Sequence, residues 1–303
     1  MSNIAIVGAG KVGTVLGRIL AGNGENIVCV VSRTLKSAKV AGRFLNCPNC
    51  SDSLEAIPQL TDLILIATPH AAIAKVAQSL SQVDHLRFKR LSVCHASGML
   101  TADVLEPLRK NGATVFSFHP LQTFPRDFRA KDIVPTIKGI YYAVDGTPTA
   151  VRRAARLARK LRGKAIEVAP EMRPFYHASC VVASNHLTTV LSILETMHRA
   201  LRLKEKDFLR MYKPILMATL RNIEATSPEA ALTGPVARGG VETVAGHFAA
   251  VRKFAPELLP YFGTLTLETA KLARAKGSLS REQALALQQL VQSQTNLQTE
   301  EMH

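Results

Sequence analysis

Asn3-Ile4-Ala5-Ile6-Val7-Gly8-Ala9-Gly10-Lys11-Val12-Gly13 is the stretch that decides the fold. A short apolar run stops at a glycine and opens into the pattern G-x-G-x-x-G. Behind it, Val12, Leu16, Ile19 and Leu20 recur at the spacing of one helix face. Strand, glycine turn and helix together form the context that the dinucleotide-binding motif requires. Gly8 permits the tight turn, Gly10 lets the backbone approach a pyrophosphate, and Gly13 lets helix and strand pack closely. The helix start offers free N–H groups and the positive end of its dipole to phosphates. Gly8, Ala9, Gly10, Lys11, Val12 and Gly13 are therefore expected to bind a dinucleotide cofactor. A glycine-rich turn without a ligand is the alternative.

Outward from this motif, apolar runs alternate with helical patterns. Strands are expected at Asn3–Val7, Asn26–Val31, Leu63–Ala67, Leu91–Cys94, Thr114–Phe118, Ile140–Val144 and Ala165–Val168. This is the pattern of an α/β, doubly wound Rossmann domain with a parallel sheet. Thr101 is the expected cap of a helix ending near Asn111-Gly112. The texture changes near Pro170. One long helix is expected from Phe175 to about Leu203, and helical patterns continue to about Gln292. Breaks are expected at Pro214, Pro228, Gly234-Pro235, Pro256 and Gly277. The organisation is read as a cofactor-binding domain over 1–169 and an all-helical substrate and dimerisation domain over 170–303. The last ten residues read as a frayed end.

The end of the second strand selects the cofactor. NAD enzymes carry an Asp or Glu ~20 residues past the motif to hold the ribose 2′-hydroxyl. Here Ser32-Arg33-Thr34 stands in that place. With no carboxylate there to repel it, a 2′-phosphate can be forked by Arg33 and take hydrogen bonds from the two hydroxyls. NADP(H) is therefore expected rather than NAD(H).

In such sheets ligands bind outside the carboxyl ends of the strands. The third strand ends at Thr68-Pro69, placed beside the cofactor. The next two end in His95-Ala96-Ser97-Gly98 and His119-Pro120. Hydride transfer to a carbonyl or imine needs a donor for the charge developing on oxygen or nitrogen. His119 is the expected proton donor or polariser and Ser97 the expected orienting hydroxyl, with His95 a further candidate at the substrate. Each could instead only tie down its loop. The long helix carries His177, Ser184, Asn185, Thr188 and Ser192 near one face, where a helix under a sheet domain should be apolar. His177 and Asn185 are accordingly placed in a wet cleft. Leu232–Gly240 is a glycine-rich loop with Arg238, running into a helix pattern, and reads as an anion site for a substrate carboxylate. A structural hairpin is its alternative.

The chain of 303 residues has a formal charge of +15. Much of that charge lies between Arg152 and Lys164, on the outer face of an amphipathic helix. It reads as a solvated face, as steering for anionic ligands, or as a nucleic-acid surface. No DNA-reading motif accompanies it. Five scattered cysteines exclude a disulfide framework. The spacing of Cys47-Pro48-Asn49-Cys50 suits a metal or a redox pair, but the further ligands that zinc needs are missing, so it reads as a surface loop and no metal is expected. No apolar run approaches the ~20 residues that cross a bilayer, and no leader segment is read. A cytoplasmic protein is expected.

Cys94–Leu100 (CHASGML), Ser117–Phe124 (SFHPLQTF), Tyr176–Leu187 (YHASCVVASNHL) and Ala231–Gly239 (ALTGPVARG) carry a resemblance. The chain resembles proteins that join a Rossmann-like domain to a conserved C-terminal domain of unknown function. These are similar in architecture to 6-phosphogluconate dehydrogenases, pyrroline-5-carboxylate reductases and ketopantoate reductases. The resemblance implies NADP(H) and a homodimer through the C-terminal helices. It also implies a small carboxylate-bearing carbonyl or imine as substrate, such as the 2-oxo acid ketopantoate. Ser97 and His119-Pro120 match the layout of prephenate dehydrogenases. Gly239-Gly240 to Thr243 is loosely similar to the carboxylate-binding loop of pyrroline-5-carboxylate reductases, which implies Thr243 at the substrate. Asn185 matches the interdomain Asn of hydroxyacid dehydrogenases, but Val181 stands where their catalytic Lys would be. Two further readings follow: a non-catalytic NADP(H)-binding sensor, and a nucleic-acid-binding protein using the basic helix 151–164.

Overall fold

Side chains alternate between two buried layers along each central strand. In Asn3–Val7, Ile4 and Ile6 join one cluster while Ala5 and Val7 join another; Leu63, Leu65 and Ile64, Ile66 split in the same way. A strand buried on both faces reads as a continuous apolar run, which is why these runs were legible. Each fully buried Ile or Leu contributes ~1.5–3 kcal/mol. The computed structural model describes residues 1–295. Among them one sheet has eight strands: β1 (Asn3–Val7), β2 (Asn26–Val31), β3 (Cys50–Ser51), β4 (Leu63–Ile66), β5 (Ser92–His95), β6 (Thr114–Pro120), β7 (Tyr141–Gly146) and β8 (Lys164–Glu167). Their order is β3-β2-β1-β4-β5-β6-β7-β8.

The helices of this unit divide between the two faces. Helices α1 (Lys11–Gly22) and α2 (Leu35–Leu45) lie on one face, α3 (Ile73–Leu80) and α4 (Glu106–Lys110) on the other, and α5 (Ala130–Ile133) and α6 (Pro148–Lys160) on the first again. The expected parallel sheet holds except at one step, because β6 and β7 pair antiparallel. The cause is α5, which has 4 residues and at 1.5 Å per residue covers only ~6 Å. The chain does not travel back across the sheet before it re-enters. On α6 the apolar stripe Ala150, Ala154, Leu157 and Ala158 is buried, as its period required. Part of its cationic face is used within the chain. Arg153 Nη1 donates to Ser92 Oγ at 2.7 Å, and Lys160 Nζ lies 2.6 Å from Glu25.

The Cys47–Cys50 segment is not the surface loop expected. Cys47 is 4% exposed within the first cluster, and Cys50 begins the edge strand β3. A two-residue strand has no periodicity to reveal it, so the sequence offered only the cysteine spacing.

The chain separates into one compact unit ending at Asn185 and a second from His186 onward. The expected boundary stood at 169/170; α7 (Arg173–Val181) belongs to the first unit. The long helix expected from Phe175 carries a π-helical turn at Val182–His186 before α8 (Leu187–Ala200). The second unit continues with α9 (Phe208–Ala225), α10 (Pro228–Ala231), α11 (Val241–Phe254), α12 (Leu259–Lys276) and α13 (Arg281–Gln294). Its core joins Val244, Phe248, Ala270, Ala273 and Leu287. Pro214 does not break a helix as expected but sits inside α9. No residue of α9 is buried, so the carbonyl that Pro214 leaves unbonded can be solvated. The end near Gly277 is as read, with Gly277 at φ +77 closing α12. Of the frayed end expected over the last ten residues, 296–303 lie outside the described residues. No described helix is long and apolar enough to cross a membrane.

Candidate functional site

The three glycines of the motif do different work. Gly8 has φ +112, and a Cβ there would lie 2.6 Å from the Ala67 backbone. A Cβ on Gly13 would lie 2.4 Å from the Gly8 carbonyl oxygen. Gly10 has no neighbour within 4 Å; its missing side chain opens onto a groove. Gly10 caps α1 with no side-chain bond, so the first N–H groups of that helix remain available to an anion.

The groove has a volume of about 1120 Å³. Of the residues expected at the cofactor, Gly8, Ala9, Gly10, Lys11, Val12, Ser32, Arg33, Thr34, Thr68 and Pro69 all line it, whereas Gly13 serves the packing beneath. The buried Thr68 Oγ1 on its wall has no protein partner, an arrangement a ligand can satisfy. Thr34 is not a free donor, however. Its hydroxyl caps α2, accepting from Ser37 N at 3.2 Å and donating to Ser37 Oγ at 2.9 Å. Ser37, one helical turn on and unread in the sequence, takes that place on the groove. The β2 end is also not wholly free of carboxylate. The edge strand β3 brings Asp52 to the groove, and Ser32 N bonds the neighbouring Ser51 carbonyl.

A second cavity of about 430 Å³ shares the wall Val12, Ala67 and Thr68 with the groove. His70, Ser97, Gly98, Met99 and His177 complete it. Ser97 Oγ accepts from Met99 N at 3.3 Å and Leu100 N at 3.2 Å, and lies 3.1 Å from His70 Nδ1. With two N–H groups already on the oxygen, its proton points to His70. Ser97 therefore pairs with exposed His70 rather than with His119.

His95 is fully buried. Its Nδ1 accepts from Ser97 N at 3.2 Å and its Nε2 donates to the Thr101 carbonyl at 3.0 Å. Both ring nitrogens are consumed by the loop, so His95 supports the site from beneath and does not meet a substrate. Burial lowers its pKa to about 4. His119, on β6, does not line the small cavity either. It lies against Gly98, where a Cβ would sit 2.9 Å from Nε2, and its Nδ1 is 2.9 Å from the Tyr176 hydroxyl. Burial, and then the positive charges of Arg173 and His177, push its pKa down to about 4. At neutral pH His119 is an uncharged hydrogen-bonding ring. Burial raises the Tyr176 hydroxyl well above its usual value.

Beneath these histidines sits an ion pair absent from the sequence reading. Arg173 Nε donates to Asp145 Oδ2 at 2.7 Å, with side-chain exposures of 0% and 3%. Ser117 bonds both partners through its hydroxyl, and Ala102 N donates to Asp145 Oδ1 at 2.6 Å. One carboxylate thus joins β6, β7, the loop after β5 and the start of α7. Ser117 lies two residues before His119, and Arg173 lies one turn before Tyr176 and His177. The partners are 28 residues apart in sequence, so no local pattern could announce them.

Asn185 lies in the π turn and lines neither cavity. In the second unit Arg238 is exposed on a 3₁₀ turn closed by Gly239 at φ +67. It stands just before Gly240, which caps α11 without a side-chain bond, and Thr243 is exposed on the first turn of α11. Arg238 and the start of α11 are adjacent in the chain.

Residues 2–120 match the profile of the Rossmann-like domain, and residues 140–269 that of a domain of unknown function, DUF2520. The second match begins at β7, so it includes the strands that complete the sheet. No curated protein matches the sequence. Among solved structures, a candidate NADP oxidoreductase from Bacteroides fragilis is 19% identical, covering 89% of this chain and 98% of its own, with a TM-score of 0.71. The pyrroline carboxylate reductase of Plasmodium falciparum, solved with NADP bound, is 11% identical over 90% of this chain and 98% of its own (TM-score 0.58). The prephenate dehydrogenase of Aquifex aeolicus, with NAD⁺ and hydroxyphenyl propionate, is 16% identical over 88% and 97% (TM-score 0.53). At such identities the likeness is one of fold. The chain thus joins a Rossmann-like domain to a domain of the DUF2520 family.

Proposed function

We propose that this protein is an NADP(H)-dependent oxidoreductase. It would transfer hydride to the carbonyl or imine carbon of a small carboxylate-bearing compound, a 2-oxo acid such as ketopantoate being one candidate. The observation that carries the reading is the shared wall. Val12, Ala67 and Thr68 belong both to the dinucleotide-sized groove and to the cavity that holds Ser97, His70 and His177. A cofactor lying on the glycine turn would end where the proton-competent side chains begin.

The residues present fit that cofactor. The open side of Gly10, the uncapped start of α1 and the orphan Thr68 Oγ1 provide the cradle. Arg33 and Ser37 stand ready for the 2′-phosphate. Bound NADPH would supply the hydride. The proton for the oxygen or nitrogen would pass through Ser97, whose hydroxyl reaches solvent-exposed His70. His119, uncharged, would polarise the reacting group or hold Gly98 and Tyr176 in place, not serve as the acid at neutral pH. Arg238 and Thr243, in the second unit, would form an anion site suited to a carboxylate.

The test follows NADPH absorbance against a panel of 2-oxo acids and cyclic imines, beside calorimetric titration with NADPH and NADH. Turnover, with NADPH bound more tightly than NADH and the preference lost in Arg33→Ala, is expected. Tight NADPH binding without turnover would leave only the sensor reading.

The α9 helix supports a further part of the proposal, a homodimer through the C-terminal helices. Leu209, Met211, Ile215 and Leu220 are all exposed on it. A helix with large apolar side chains on its surface and none buried calls for a partner surface. A second copy of this chain is the partner we assign.

A further inference from the structure

We propose that Arg126 is a second phosphate-binding residue of the dinucleotide groove, contributed by the segment between β6 and α5. The proposal rests on the reading of the groove as a dinucleotide site.

The segment is anchored on both sides of Arg126. Leu121 N donates to the Tyr141 carbonyl at 2.9 Å, and Gln122 Nε2 to the Thr136 carbonyl at 2.9 Å. Phe124 then packs against the core cluster to which α1 contributes, and on the far side α5 packs against α1 itself. Between these anchors Arg126 is exposed and lines the groove. It makes no ion pair among the described residues, unlike Arg129 of the same wall, which is held by Asp132 at 2.9 Å. The adjacent Asp127 does not line the groove.

The charge around the groove points to an anion. Five cationic side chains line it, Lys11, Arg33, Lys75, Arg126 and Arg129, against the single carboxylate of Asp52. A free guanidinium on the wall of a dinucleotide-sized groove has the chemistry of a phosphate ligand, with a fork that fits phosphate oxygens. Its backbone is already placed, so little ordering is needed on binding.

Calorimetric titration of wild type, Arg126→Ala, Arg126→Lys and Arg33→Ala with NADPH and with NADH tests this. Arg126→Ala should weaken NADPH binding by about ten-fold or more, as loss of a hydrogen bond to a charged group does. Arg126→Lys should recover only part. The melting temperature should not move, because the side chain holds nothing in the fold. Loss with NADPH alone places Arg126 at the 2′-phosphate; equal loss with NADH places it at the diphosphate. Arg126→Ala binding both cofactors within two-fold of wild type, while Arg33→Ala weakens NADPH, would overturn the proposal alone. Wild type that binds neither cofactor would overturn the dinucleotide reading, and this proposal with it.

Discussion

Gly10 lacks a side chain for the sake of a ligand, while Gly8 and Gly13 lack theirs for the sake of the fold. Gly10→Ala should therefore keep the melting temperature and lose NADPH affinity, because its methyl group enters only open groove. Gly8→Ala should lower the melting temperature, since it meets the Ala67 backbone at a positive φ. Thermal unfolding and NADPH titration of the two variants check this; a destabilised Gly10→Ala with normal NADPH affinity would refute it. The histidines make a second prediction at this scale. An unfolded histidine protonates near pH ~6.5, whereas His95 and His119 stay neutral down to about 4. Between those values the unfolded chain binds more protons. Stability therefore rises with pH across that window and is lost as pH falls from 6.5 toward 4. Each histidine should contribute a slope of about 1.4 kcal/mol per pH unit there. Urea melts at pH 4.5, 5.5 and 6.5 should show it, and His95→Gln should remove about half. A flat profile would mean that both rings titrate freely.

At the scale of elements, α7 is held to the sheet by one buried carboxylate. Asp145 joins two strands, the loop after β5 and Arg173 at the first position of α7. Arg173→Met would leave that charge buried and unpaired, a loss of ~3–5 kcal/mol. The double variant Arg173→Met/Asp145→Asn should recover part of it, because no charge then remains to be compensated. Urea unfolding of wild type, Arg173→Met, Asp145→Asn and the double variant reads this directly, and additive losses would argue against a coupled pair. The edge strand offers another test. Cys47 is buried in the cluster to which α2 and β2 contribute, so Cys47→Ser places a hydroxyl in apolar surroundings and should lower the melting temperature. A surface loop would not respond.

For the whole molecule, α9 sets the prediction. Ile215 is 65% exposed near the middle of an 18-residue helix with no buried residue. If a second copy covers this face, Ile215→Glu should convert a dimer to a monomer in sedimentation velocity, with little loss of helix by circular dichroism. A wild type that sediments as a monomer at micromolar concentration would remove the dimer.

What the sequence determined by itself is what local patterns encode. Strand runs buried on both faces, the spacing of α1, the glycine fingerprint and Thr101, which caps the 3₁₀ turn Ala102–Leu105 leading into α4, all depend on residues within a few positions of one another. Fold class, groove and cofactor edge were therefore legible. The tertiary structure alone decided which side chains meet. Ser97 turned to His70, His95 was consumed by its loop, and Asp52 and Arg126 came to the groove from β3 and from the segment after β6. Arg173 found Asp145 across 28 residues. The physical reason is the same in each case. Burial, hydrogen-bond partners and charge at a site are set by elements distant in the chain, and periodicity along one element carries no record of what packs against it.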